Sequence, residues 1–273
     1  MITIAPPTSG YSDKILSDAI ARASVVSKPR NKNITIVMEE GEYRFKETVK
    51  CHGSVSLVSG GRGRRSVRMT WPSTYDDMNL LEIRGCNGSV FDGINIMGFG
   101  SGKRVTGLAS ISNSSCVFSN LDIQVRAGVD SLGLRHEREG SHGESCVYEK
   151  FDIRSSGGCV EVGGGDNNTF RDFDCTAGVN VLDTISAIFR IAPKKVPHHL
   201  NIRPGTGQRG RHMYYCNSIS NNVSGGFIKL DSFRWEQPAS YDTTAIIHIP
   251  ERIGGAKGHV TERFTIINCR HSP

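Results

Sequence analysis

Short stretches of the chain alternate apolar and polar positions, and four of them are near-copies of one another. Val90-Phe91-Asp92-Gly93-Ile94-Asn95-Ile96 is matched by Val117-Phe118-Ser119-Asn120-Leu121-Asp122-Ile123. Val147-Tyr148-Glu149-Lys150-Phe151-Asp152-Ile153 and Thr169-Phe170-Arg171-Asp172-Phe173-Asp174-Cys175 complete the set. Each reads as a β-branched residue, an aromatic, two polar or small turn residues, then apolar–polar–apolar. The aromatics lie 27, 30 and 22 positions apart (91 to 118, 118 to 148, 148 to 170). A strand-patterned repeat of this length predicts a β-solenoid, in which each coil buries its apolar face against the next.

The N-terminal region has a different pattern. Residues Met1–Gly10 hold two prolines and no periodicity, and predict an extended arm. Ser12 or Asp13 caps a helix reaching about Val26, with Ile15, Leu16, Ala19, Ile20 and Ala23 on one face. Such a helix covers the open end of the first coil, where strand edges and apolar side chains would otherwise meet water. Ile34–Met38 is an apolar strand, Glu39–Phe45 a turn and a second strand, and Val55–Gly61 a third. The repeats weaken after Cys175 and return at Asn221–Leu230 and Arg263–Ile267. The chain therefore divides into an arm and cap helix over 1–30 and a solenoid over 31–273, with a basic loop at 190–215.

Helix, strand, Gly-x-Tyr turn and a strand ending in glycines, over Tyr11–Gly61, together with the repeats of Val90–Cys175, resemble the pectate-lyase-like right-handed parallel β-helix proteins. Many phage tailspikes and related virion proteins share this arrangement. The resemblance implies an all-β, single-stranded right-handed parallel β-helix with an N-terminal capping helix. It also implies a phage virion structural protein, tail-, spike- or fibre-associated and homotrimeric. Such a protein is made in the host cytoplasm, contacts other virion proteins and binds glycans at the host cell surface. Pectinolytic hydrolases of this fold show an Asn-x-Asp strand, an Asp-Asp pair, a Gly-His-Gly turn and an Arg-x-Lys strand. Here only Ser141-His142-Gly143-Glu144 is similar to the His turn, and Asp166-Asn167-Asn168 has no paired Asp. An enzymatic role is left open, as a polysaccharide lyase or glycoside hydrolase acting on an acidic polysaccharide.

Composition is consistent with a narrow core walled by turns: 273 residues, 37% hydrophobic, with 31 glycines. The net charge of +6 is too mild to identify a partner. Eight cysteines contain no Cys-x-x-Cys pair, which argues against a zinc ribbon or redox motif. Cys116 and Cys146 share one repeat position, and Cys175 stands where other copies carry Ile, so these read as small buried hydrophobes. Gly163-Gly164-Gly165 lacks the Lys-Ser/Thr and helix of a phosphate loop. No charged-then-apolar leader and no bilayer-length apolar run occur, which predicts a cytosolically made product without membrane insertion.

Strand alternation turns candidate chemistry outward. With Ile94/Ile96, Leu121/Ile123, Phe151/Ile153 and Phe173/Cys175 inside, Asn95, Asp122, Asp152 and Asp174 form one external row. Carboxylates on coils ~4.8 Å apart repel by roughly 1 kcal/mol in water and about 3–4 kcal/mol at an effective dielectric near 20. Arg154 shares that face, beside Gln124 and Thr176, and Arg126 lies one outward position further. One reading is a charge ladder neutralised by arginine. The other is a site, with Asp122, Asp152, Asp174 and Arg154 as catalytic candidates and Asn95, Gln124 and Arg126 binding substrate. Paired acids suit a glycosidase, whereas acids, Ca²⁺ and an Arg base suit a lyase; outside the lyase alternative no metal or cofactor is implied. The stretch from Arg190 to Tyr215 carries no acid. Its Arg190, Lys194, Lys195, Arg203, Arg209 and Arg211 are candidates for docking an acidic protein neighbour, and its prolines and glycines predict an irregular loop. No RNA- or DNA-binding motif accompanies them, which argues against nucleic acid.

Overall fold

The computed structural model describes residues 1–27, 33–61, 63, 65–128, 130–139, 144–178, 187–192, 199–209, 212–216, 227–236, 245–248 and 263–272. Among them the strands form two sheets, of 16 and 8 strands, whose members pair in parallel across successive coils. The larger sheet is bent into two columns. In the middle of the molecule single strands, Val117–Arg126, Val147–Ser155 and Asn168–Thr176, run through both columns. The smaller sheet is the third column and includes Val49–His52, Asn79–Arg84, Thr106–Ile111, Leu132–Glu137, Gly158–Gly163 and Ala187–Ile191. The chain is thus a parallel β-helix of three strand columns.

The two polar or small residues of each repeat make the bend between the first and second columns. Its second member has left-handed φ in all four copies: Gly93 at 73°, Asn120 at 51°, Lys150 at 53° and Asp172 at 54°. One such residue turns the strand without breaking the ladder to the next coil, and Gly and Asn tolerate it best. The repeat aromatics stack inside: Phe91 on Phe118 at 5.0 Å, Phe118 on Tyr148 at 4.6 Å and Tyr148 on Phe170 at 4.6 Å between ring centroids. Those separations match the ~4.7–4.9 Å between neighbouring strands, so the sheet spacing itself sets the stack. Truncating one of these buried rings to Ala costs about 3–5 kcal/mol.

A buried polar chain crosses the tube beside the stack. The Tyr148 hydroxyl donates to Ser110 Oγ at 2.7 Å and lies 2.8 Å from His136 Nδ1. Asn168 Nδ2 lies 3.1 Å from His136 Nε2, while Asn168 Oδ1 accepts from Cys146 N–H at 3.0 Å. The Asn168 amide is oriented by that backbone bond, so Nε2 accepts and the imidazole proton sits on Nδ1, donated to Tyr148. Burial raises the Tyr148 hydroxyl well above its ordinary pKa. Cys51, Cys86, Cys116, Cys146, Cys159 and Cys175 are free and buried, and burial together with the neighbouring Cys116 pushes the Cys86 thiol up to about 12.

The arm begins with a strand, Ile2–Ile4, which pairs with Ile36–Met38 and extends the first column by one rung. The helix is Asp13–Ser27, and Leu16, Ala19, Ile20 and Ala23 are buried against the first coil. Its two candidate caps act as tethers to that coil. Ser12 Oγ accepts from Arg44 N–H at 3.1 Å, and Asp13 Oδ1 accepts from Lys46 and Glu47 N–H at 3.2 and 3.1 Å. The open strand end supplies unpaired donors that need these oxygens.

The 190–215 stretch departs from the expected irregular loop. Its described residues include the end of the strand Ala187–Ile191 and the strands His199–Ile202, Gly205–Gln208 and His212–Cys216, one on each column. Its glycine at 205 is a packing feature: a Cβ there would lie 2.5 Å from the Phe173 ring of the coil below.

Candidate functional site

The second column builds one continuous outward row. Backbone pairing puts Arg68 beside Asn95, Asn95 beside Asp122, Asp122 beside Asp152, Asp152 beside Asp174, and Asp174 beside Thr206. A parallel outer row sets Met97, Gln124, Arg154, Thr176 and Gln208 in register. The side chains between them, Ile94, Ile96, Leu121, Ile123, Phe151, Ile153, Phe173 and Cys175, are buried in the core. Burial of the apolar set fixes the register, and the register fixes the polar row.

Burial is graded along that row. Asn95 and Asp122 are 2% and 1% exposed, Asp152 is half-buried and Asp174 exposed. At Asp122 the cover comes from Arg65 of an earlier coil. Arg65 reaches over the Asn95 coil, and its Nε donates to Asp122 Oδ2 at 2.9 Å. Gln124 Nε2 donates to Asp122 Oδ1 at 3.3 Å. Asn95 Oδ1 is buried and accepts no hydrogen bond among the described residues. Further along, Thr206 Oγ1 donates to Asp174 Oδ1 at 2.8 Å.

The expected neutralisation by Arg154 is not what the side chains do. Arg154 is exposed and takes no ion-pair partner among the described residues; the guanidinium bonded to Asp122 is that of Arg65. A residue two coils away in the ladder carries no spacing signal, whereas Arg68 does, since Val67-Arg68-Met69 repeats the apolar–polar–apolar pattern of Ile94-Asn95-Ile96. Arg126 is exposed at the strand end, opposite Phe99. No group of three or more His, Cys, Asp or Glu side chains is placed to hold a metal ion among the described residues.

The basic candidates among the described residues, Arg190, Arg203 and Arg209, do not share one face. Arg190 lies in the third column, where its Nε donates to Glu161 Oε2 at 2.7 Å, both side chains mostly buried. Arg203 is exposed at the bend after the strand His199–Ile202, and Arg209 is exposed with left-handed φ after Gly205–Gln208. Lys194, Lys195 and Arg211 lie outside the described residues, as do Ser141, His142 and Gly143.

No protein-family model and no curated protein matches the chain. Solved structures do match it in shape. A pectin methylesterase in complex with a hexasaccharide superposes with a TM-score of 0.57 at 10% identity, over 100% of this chain and 90% of that one. The fold is a parallel β-helix, shared with that structure. Rice weevil pectin methyl esterase gives 0.54 at 10% identity, over 97% of this chain and 91% of its own. Escherichia coli YbhC gives 0.52 at 10% identity, covering 99% and 84%. A phage tailspike also matches, at a TM-score of 0.38 that carries no argument. At these identities the likeness is one of β-helix fold alone, and the site rests on its own residues.

Proposed function

We propose that the protein is a glycan-binding parallel β-helix that takes a polysaccharide along its second column. The observation that carries this reading is the row Asn95–Asp122–Asp152–Asp174, in which three carboxylates occupy successive coils. Asn95 and Asp122 are buried, so the acceptors within a glycan's reach are Asp152 and Asp174, which stand one coil (~4.8 Å) apart on a rigid surface and suit a chain of hydroxyl donors. Gln124, Arg154 and Arg126 add amide and guanidinium donors on the same side, which admit sugar carboxylates as well. The setting we propose is a phage particle, with the protein as a homotrimeric tail-, spike- or fibre-associated component beside other virion proteins, facing host-surface glycan. The helix-capped N-terminal pattern and the free, buried cysteines support it.

A second reading, a polysaccharide depolymerase, is favoured by a carboxylate pair. Asp152 and Asp174, the two reachable carboxylates, stand on adjacent coils, a backbone separation of ~4.8 Å close to the ~5–5.5 Å of retaining glycosidases. A Ca²⁺-dependent lyase fits the residues poorly, because Asp122 is already bound by Arg65, and no step is derived through that ion.

The test is a panel of polyuronates, sulfated galactans and neutral glucans, assayed for retention of the protein and for fragment release. The proposal expects retention by at least one polymer and its loss in Asp152→Asn. New reducing ends would make the protein a hydrolase, and an unsaturated chromophore a lyase. Retention unchanged in Asp152→Asn would remove the row from the function.

A further inference from the structure

Beside the row lies a small polar pocket of about 210 Å³, lined by Ser59, Gly61, Gly63, Asp92, Gly93 and Asn120. Its polar groups are held in place. Asp92 Oδ1 accepts from Ser119 Oγ at 2.6 Å and from Asn120 Nδ2 at 2.7 Å, and neither bond uses Oδ2. Ser59 Oγ accepts from Gly61 N–H at 3.1 Å and shares a bond with Ser66 Oγ at 2.8 Å. Gly93 lets the walls approach: a Cβ there would lie 2.8 Å from Ser59 Cβ.

The size restricts the ligand. The volume falls below the ~300–1,000 Å³ of sites for drug-sized molecules, and equals roughly seven waters at ~30 Å³ each. That is room for one sugar ring. A carboxylate anchored through one oxygen offers the other to a pair of ring hydroxyls and repels an anionic sugar. Two residues beyond Gly93, the buried Asn95 Oδ1 still lacks a donor among the described residues. It stands where the row begins, so a unit in the pocket and a chain on the row would adjoin.

We propose that this pocket is a subsite for a single neutral pyranose, a side branch of the polysaccharide carried on the aspartate row. The inference rests on the glycan reading of that row, and its test separates the two. Saturation-transfer NMR is run with free glucose, galactose, mannose and N-acetylglucosamine, and with glucuronate as the anionic comparison. At least one neutral sugar is expected to bind saturably at about millimolar concentration, with glucuronate weaker. Ser59→Tyr, which fills the pocket, and Asp92→Asn, which removes its charge, are each expected to weaken that binding by about tenfold or more. Both variants are checked for wild-type thermal unfolding, and Asp92→Asn serves where Ser59→Tyr does not fold. Absence of saturable binding by every neutral sugar overturns the pocket, as does wild-type affinity in the folded variants. On the retained polysaccharide, loss in Asp152→Asn with no change in Ser59→Tyr removes the pocket and keeps the row. No loss in Asp152→Asn removes the row itself.

Discussion

The outward faces of the second and third columns are built on the same coils and solve the problem of stacked charge in opposite ways. On the third column the register runs Lys50, Glu82, Ala109, Arg135, Glu161, Arg190, and wherever charges meet their signs alternate. Arg190 bonds Glu161 at 2.7 Å, and Glu82 accepts from Asn79 at 2.8 Å and Arg84 at 3.1 Å. On the second column three aspartates adjoin in register, and the bonded cation on the row comes from a loop two coils away. A solenoid can cancel its ladder charges locally, as the third column does. A face that instead sets carboxylates in series presents acceptors of one kind at the strand spacing, an arrangement that a ligand with repeating donors can meet.

The largest expected effect comes from giving the third column the second column's arrangement. Glu161→Lys places Arg135, Lys and Arg190 in a row and removes a partner from a side chain that is 13% exposed. It should cost about 2–4 kcal/mol in urea unfolding. Next is Arg65→Ala, which leaves Asp122 buried without its cation and should cost about 1–3 kcal/mol. The double variant with Asp122→Asn should recover most of that loss, and a cycle showing no coupling would mean that Arg65 does not hold the row.

A pH measurement sharpens the contrast. Burial alone would raise the Glu82 carboxyl, but bonds from Asn79 and Arg84, with the charges of Arg84 and Lys50, outweigh it and hold the group below the ordinary range. A carboxyl lowered by folding contributes stability that is complete above its unfolded value of about 4.3 and is lost as the pH falls through the folded one. Glu82→Gln should therefore lower the neutral plateau and leave stability at the acid end nearly unchanged, so that the limb below about 4.3 flattens.

What the sequence disclosed followed from the inward residues. The aromatics at 91, 118, 148 and 170 share one position in every copy, so their stack and the aspartate row were both readable. The third column was not, because Ala109, Arg135 and Glu161 sit in strands with no common motif and enter the ladder only through pairing. The coil within 190–215 was hidden by residues that usually signal loops. Gly205 is there to make room for Phe173, and Arg190, which looked like a docking charge, is the partner of Glu161. Arg65 on Asp122 was out of reach because a loop residue's target is set in three dimensions. The Ser110–Tyr148–His136–Asn168 chain was missed for the same reason.

The most direct measurement is Asp152→Asn, followed by unfolding free energy and by retention on the polysaccharide panel. Replacing the middle carboxylate should leave the protein folded and abolish retention. A variant that is less stable than wild type and still retained would contradict the account, because the stacked aspartates would then serve the fold and not a ligand.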